Sequence, residues 1–215
     1  VSGHWLDLST WPRRDHYQFF LAYEQPFFNL CTEVQVGPTW RWCKATGAPF
    51  SLACWFAAQR ATDAVPALRM RLRPEGVWLH DQLYIASTIS LPGDTFGFCY
   101  FPRAPTFAAF RETAEAAIAQ VRAGAPMGDR PDEDGVIHGS VVPWVRFTGL
   151  THARRLGTLD SVPKLVFGKA SAAGEGMALP VSVAAHHALA DGVHVAQFLG
   201  ALEAALAQPE VTFAG

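Results

Sequence analysis

Charge is what this chain has least of. Asp, Glu, Lys and Arg make up 17% of its 215 residues while 50% are hydrophobic, against a charged share of about 25% in ordinary soluble domains. Too little charge is present to cover a monomer of this size, which predicts an oligomer that buries part of its surface. A formal net charge of −2 without any Lys/Arg run argues against a polyanion as partner, so no nucleic acid is expected. Long apolar runs are missing too. His, Asp, Pro or Gly breaks each one well short of the roughly 20 residues that a membrane span needs, and no targeting signal is visible, although the chain begins at Val1. Cysteine is scarce and scattered. Cys31, Cys43, Cys54 and Cys99 make neither a CxxC pair nor a dense framework, which reads as reduced core thiols in a cytoplasmic protein. The lack of a GxGxxG or phosphate-cradling loop argues against a doubly wound nucleotide fold. No repeat or low-complexity linker divides the chain, so residues 1–215 read as one domain.

What is present is a mixture of helical and strand patterns. Trp11 to Phe20 predicts a helix beginning after Ser9 or Thr10, with Pro12 in its first turn. Phe27, Phe28, Leu30, Thr32, Val34 and Val36 make residues 26–36 a strand, ended by Gly37-Pro38. Residues 49–68 fit a mostly buried helix. Residues 69–73 and 77–80 fit two strands around Pro74-Glu75-Gly76, and alternation of Arg with apolar residues in the first predicts one face in solvent. Further strands are expected at 83–91 and 95–100, a helix at 106–123, and a loop rich in Asp, Pro and Gly at 128–135. Residues 136–147 read as a strand carrying the lone Ser140, and 165–169 as another. Helices among many non-alternating strands predict an α/β protein, an α+β two-layer sandwich.

The stretch His186-His187-Ala188-Leu189-Ala190-Asp191-Gly192 has the densest chemistry. It follows the apolar run 177–185 and precedes Val195, Phe198, Leu199, Leu202 and Leu206 at helical spacing, so a strand delivers a histidine to a bend and a helix begins at the acid. Such a junction holds a base rigidly. A single histidine in apolar surroundings ordinarily reads as a satisfied core residue; the pair with Asp191 and Gly192 is what points beyond that. A metal site is not expected, because no third or fourth ligand stands at a usual spacing.

Several separated segments resemble the chloramphenicol acetyltransferase family. His186-His187-Ala188-Leu189-Ala190-Asp191-Gly192-Val193-His194-Val195 is similar to its active-site signature. Trp11-Pro12-Arg13-Arg14-Asp15-His16-Tyr17 is similar to its N-terminal segment, and Ser140-Val141-Val142-Pro143-Trp144-Val145-Arg146-Phe147 to a third. The hairpin from Leu68 to Trp78 fits as well.

The resemblance implies a family-like mixed sheet with helices packed on one side, and direct transfer of an acetyl group from acetyl-CoA to the hydroxyl of chloramphenicol. It makes His187 the general base, since a free imidazole is mostly neutral at pH 7 and ready to accept a proton. Ser140 becomes the donor to the oxyanion, a role worth roughly 3 kcal/mol of barrier. Asp191 becomes the structural partner of Arg13 in a buried pair whose breakage costs about 3–5 kcal/mol. Trp144 and Lys169 fall at coenzyme contacts, Phe28 and Phe96 at the acceptor pocket. No cofactor is held permanently; acetyl-CoA is a cosubstrate. The partners implied are a small hydrophobic hydroxyl acceptor and two further copies of the chain, in a homotrimer with interfacial active sites.

Some positions depart from the family pattern. Val166 stands where a threonine helps hold a water, Pro49-Phe50-Ser51 where Lys-Phe-Tyr is usual, and Ala170 where an aromatic is usual. These leave open the same chemistry on a different hydroxyl or amine acceptor, or with another acyl-CoA. A non-catalytic binding trimer that keeps the motif for folding is the third reading.

Overall fold

Two antiparallel edges and a parallel centre define the main sheet. The computed structural model describes residues 2–125, 134–154 and 158–214. In chain order the elements are β1 (Gly3–Trp5), α1 (Arg14–Leu21), β2 (Phe27–Gln35), α2 (Gly37–Thr46), α3 (Phe50–Asp63), α4 (Pro66–Arg69), β3 (Met70–Arg73), β4 (Gly76–His80), β5 (Tyr84–Leu91) and β6 (Thr95–Phe101). They continue with α5 (Phe107–Arg122), β7 (Val136–Val141), β8 (Lys164–Phe167), β9 (Ser171–Ala173), β10 (Gly176–His186), α6 (Gly192–Ala207) and α7 (Pro209–Thr212). The main sheet runs β2-β10-β8-β7-β5-β6, with β9 also paired to β10, and β1-β4-β3 forms a small separate sheet. The pairs β5–β7 and β7–β8 are parallel; the others are antiparallel.

Side-chain parity sorts the sheet into two faces, as strand geometry requires. Odd-numbered residues Ile85, Cys99, Phe101, Ile137, Leu165, Phe167, Val181 and Val183 enter the helix-packed core with Trp55, Phe56, Phe110, Phe198 and Leu202. The helices therefore cover one side, as in the expected two-layer sandwich. Even-numbered residues of β5 to β8 point the other way. Gly139 is required by this packing, because a Cβ there would meet the Trp55 ring at 2.6 Å.

Several boundaries differ from the sequence reading. The first helix begins at Arg14, not after Thr10; Pro12 lies ahead of it. The helix expected over 49–68 splits at Val65, since Pro66 disfavours helical backbone in the residue before it and starts α4. Gly37-Pro38 ends a strand as expected but also opens α2, with Pro38 in the first turn and Gly47 closing it at φ 70°. The strand expected over 136–147 stops at Val141, and that over 165–169 is Lys164–Phe167. Most of the loop expected at 128–135 lies outside the described residues.

The solvent face expected of the Arg-rich strand is the clearest correction. Arg71 is completely buried. Its guanidinium donates to the carbonyls of Leu68, Met70, Asp134 and Val136 at 2.6–2.9 Å, so fixed carbonyl dipoles replace its hydration. Burial pulls its pKa down to about 9 against the opposing charges of Asp134 and Asp160. Among the described residues no helix is long and apolar enough to cross a membrane.

Candidate active site

β10 delivers His186 and His187 to a tight turn, and the turn is wrapped around the first of them. Leu189 and Ala190 donate their N–H groups to the His186 carbonyl at 2.9 and 3.0 Å, and the Ala188 N–H donates to His186 Nδ1 at 3.2 Å. His186 is buried, and that burial pushes its pKa down to about 4, helped by the charges of Arg154 and His187 and opposed by Asp160. It is a neutral acceptor that shapes the bend.

His187 lies just past the strand, its N–H donated to the Pro26 carbonyl at 2.8 Å. The imidazole stacks flat on Phe20 of α1, with centroids 3.9 Å apart and planes 3° from parallel, and Phe28 of β2 tilts against it at 4.7 Å. Its Nδ1 is buried without a hydrogen-bond partner among the described residues. The ring is thus gripped by two aromatics.

Arg13 anchors the same turn from the start of α1. One guanidinium nitrogen donates to Asp191 Oδ2 at 2.5 Å and another to the His187 carbonyl at 3.2 Å. Phe20 follows Arg13 by two helical turns, so both fall on one face of the α1 segment: Arg13 holds the backbone of His187 while Phe20 holds its ring. Asp191 also caps α6, accepting from the Val193 N–H at 3.1 Å, while the Asp191 N–H donates to His194 Nδ1 at 3.1 Å. This is a capping box with an imidazole in place of the usual Glu or Gln. Burial raises the Asp191 pKa, but hydrogen bonds from Arg13 and Val193 and the charges of Arg13 and His194 outweigh it and the net shift is downward. The Arg13–Asp191 pair is partly solvated rather than fully buried, with side chains 16% and 32% exposed. Water can reach a stranded partner, so the cost of breaking it falls below that of a buried pair.

Ser140 stands elsewhere on the sheet, on the even face of β7, with its Oγ 3.0 Å from Thr88 Oγ1. A cavity of about 810 Å³ opens over this face, floored by Ala86, Thr88, Phe96, Phe98, Tyr100, His138, Ser140, Lys164 and Val166. A second cavity of about 470 Å³ lies over Phe27, Asn29, Ala184 and His186, and both are bordered by His152, Arg154 and Asp160.

Neither cavity reaches His187. Ser140 is in register with Val166, and Val166 with Ser182. Four residues of strand rise and two strand spacings then put His186 roughly 16 Å from Ser140. Within one chain, the expected base and oxyanion donor are apart.

Phe96 borders the larger cavity and Phe28 the smaller. Trp144 and Lys169 lie exposed beyond the ends of β7 and β8, the Lys169 N–H bonded to the Val145 carbonyl at 2.9 Å; neither lines a cavity. Among the described residues no group of three His, Cys, Asp or Glu is placed to hold a metal ion. Sequence reasoning missed Phe20, which the spacing from Arg13 would have flagged, and Thr88, which becomes visible only once β5 is paired beside β7.

A sequence model of the chloramphenicol acetyltransferase family matches residues 3–203. The chain belongs to that family. It is 30% identical over 211 residues to a chloramphenicol acetyltransferase of Streptomyces acrimycini, spanning 95% of this chain and 94% of the relative. Identity to chloramphenicol acetyltransferase 2 of Escherichia coli is 29%, over 92% and 94%. A solved chloramphenicol acetyltransferase superposes with a TM-score of 0.84 at 26% identity, covering 94% of this chain and 99% of the other. The cubic core of the pyruvate dehydrogenase multienzyme complex superposes with a TM-score of 0.70 at 14% identity, over 99% and 93%, a likeness of fold alone. The protein is thus an acyltransferase of the chloramphenicol acetyltransferase family.

Proposed function

We propose that this acetyltransferase moves the acetyl group of acetyl-CoA directly onto a hydroxyl group, at sites shared between the subunits of a homotrimer. The observation that carries the reading is the double anchorage of His187, with Arg13 on its carbonyl and Phe20 on its ring. Such fixation suits a base that must meet one proton in one direction. His187 Nε2 takes the proton of the acceptor hydroxyl as its oxygen attacks the thioester carbonyl. The tetrahedral oxyanion receives a hydrogen bond from Ser140. Collapse expels the coenzyme thiolate, which takes the proton back from His187, so an ester and free coenzyme A leave. Trp144 and Lys169 are assigned to the coenzyme.

The separation of His187 from Ser140 supports the trimer, because a base in one copy then serves the Ser140 cavity of the next. So do the low charge and the exposed Leu30 and Phe96 on the edge strands β2 and β6. Chloramphenicol, named in the relatives, is the first acceptor to test, and the aromatic wall of Phe96, Phe98 and Tyr100 suits its ring. A second reading keeps the chemistry and changes the acceptor; Val166 and the charged groups along the same cavity favour it. Purified protein with acetyl-CoA, chloramphenicol and a thiol reagent separates the two. Release of coenzyme A that is lost in His187→Ala supports chloramphenicol as acceptor, and release no greater than that of the variant removes it.

A further inference from the structure

The floor of the larger cavity is laid out in rows across the strands. Strand pairing places Ala86 beside Tyr100 and His138, and His138 beside Lys164. The next row holds Phe98 beside Thr88, Ser140 bonded to Thr88, and Val166 beside Ser140. Two residues of strand rise separate the rows, about 7 Å. A molecule whose reacting atom lies over Ser140 therefore brings its far end over His138 and Lys164, beneath Arg154.

That far end is charged and incompletely paired. Lys164 and Arg154 are mostly buried, with side chains 12% and 19% exposed, and both face a single carboxylate oxygen, Asp160 Oδ2, at 3.6 Å. Several other ion pairs close to hydrogen-bond distance, as between Arg73 and Asp134 at 2.8 Å or Arg103 and Asp63 at 2.6 Å. Here the carboxylate stands off from both cations. Among the described residues, Arg154 Nη1 and His152 Nε2 are buried without a hydrogen-bond partner, although the Arg154 guanidinium lies over the Phe27 ring at 3.2 Å. Asp134, also on the cavity wall, is committed to Arg73 and His80 at 2.8–2.9 Å. Burial holds His152 neutral, its pKa pushed down to about 4 with help from Arg154 and Lys164. Among the described residues, two cations against Asp160 leave one positive charge beside the cavity, with the Lys164 Nζ 3.5 Å from His138 Nδ1 as its other polar neighbour. Buried groups of this kind are costly unless something pairs with them.

We propose that the acceptor is a monoanion: an alcohol with an aromatic or similarly flat body and a carboxylate about 7 Å from its reacting hydroxyl, the carboxylate lying between Lys164 and Arg154. This rests on the acetyl-transfer reading for the position of the hydroxyl, but the anion site stands on its own geometry. Asp160 then acts as a spacer that holds the two cations open. The aromatic residues Phe98 and Tyr100 wall the body between the two ends.

The test uses a matched pair, 4-(hydroxymethyl)benzoate and its neutral methyl ester, with the full-length wild-type protein. Calorimetry without acetyl-CoA should show the acid binding at least about tenfold tighter, the worth of one charge-assisted hydrogen bond, with the preference shrinking as salt rises. Lys164→Gln and Arg154→Gln should each reduce the ratio of acid to ester affinity. An ester that binds as well as the acid overturns the proposal without recourse to any variant, and so does an unchanged ratio in both folded variants. Release of coenzyme A with each compound tests the other reading separately. If the acid is preferred but no compound gives His187-dependent release, acetyl transfer fails and the anion site stands; if both compounds react with equal affinity, the reverse holds.

Discussion

The joint between α1 and α6 offers a measurable partition of stability. Asp191→Asn keeps a side-chain oxygen for the Val193 N–H, because Asn caps helices as well as Asp, but it removes the charge facing Arg13. The bond to Arg13 is charge-assisted, and such bonds contribute about 1.5–3 kcal/mol when desolvated. With Asp191 32% exposed, the lower part of that range applies, so a loss of about 1–2 kcal/mol is expected. Asp191→Ala also removes the cap, adding about 1 kcal/mol. Arg13→Ala releases both Asp191 and the His187 carbonyl, so it should cost more stability than Asp191→Asn and lower kcat further, since it alone frees the backbone of His187. Urea unfolding at one fixed protein concentration reads the stabilities, the fixed concentration being needed if the chain self-associates. The cycle of Arg13→Ala with Asp191→Asn should give a coupling of about 1 kcal/mol. Strict additivity would refute the energetic role of the pair, and wild-type kcat in Arg13→Ala would refute its role in holding His187.

Gly139→Ala should cost about 1–3 kcal/mol by overpacking, since its Cβ meets Trp55 at 2.6 Å, and should lower kcat more than it raises KM by displacing the adjoining Ser140; melting and steady-state kinetics check both. Val166→Thr puts a hydroxyl on the cavity face beside Ser140 and should raise kcat, with stopped or unchanged turnover counting against a role for that position. Stability should fall as pH drops from about 6.5 towards 4. His186 and His152 have folded pKa values pushed down to about 4, so the unfolded chain binds protons that the folded one refuses. Urea midpoints between pH 7 and 4 should show this, with a shallower fall in His186→Asn.

The local signals were legible. Thr106 caps α5 as its side chain accepts from the Ala109 N–H, and the strand, turn and helix around His187 stand where apolar spacing put them. The two-layer class was legible as well, from helical patterns set among many non-alternating strands. What was hidden depends on pairing between distant segments. Alternation in Met70-Arg71-Leu72-Arg73 looked like a solvent face, but carbonyls contributed from Asp134 and Val136 solvate Arg71 instead. Nothing local in Lys164, Arg154 or Asp160 announces that β7 and β8 lie side by side beneath them. Phe20 and Thr88 likewise acquire meaning only through Arg13 and β7.

The parity of β5 to β8 bears on how this protein changes over time. Residues that hold the helices and residues that floor the cavity alternate along the same strands, so adjacent positions answer to different selection. Drift at 86, 138 or 164 alters what the cavity admits without opening a void beneath α3, whereas drift at 85, 137 or 165 is stopped by the core. A new acceptor can thus be reached in single substitutions, each leaving a folded intermediate, and a library confined to the even positions should yield folded proteins with altered selectivity far more often than one confined to the odd.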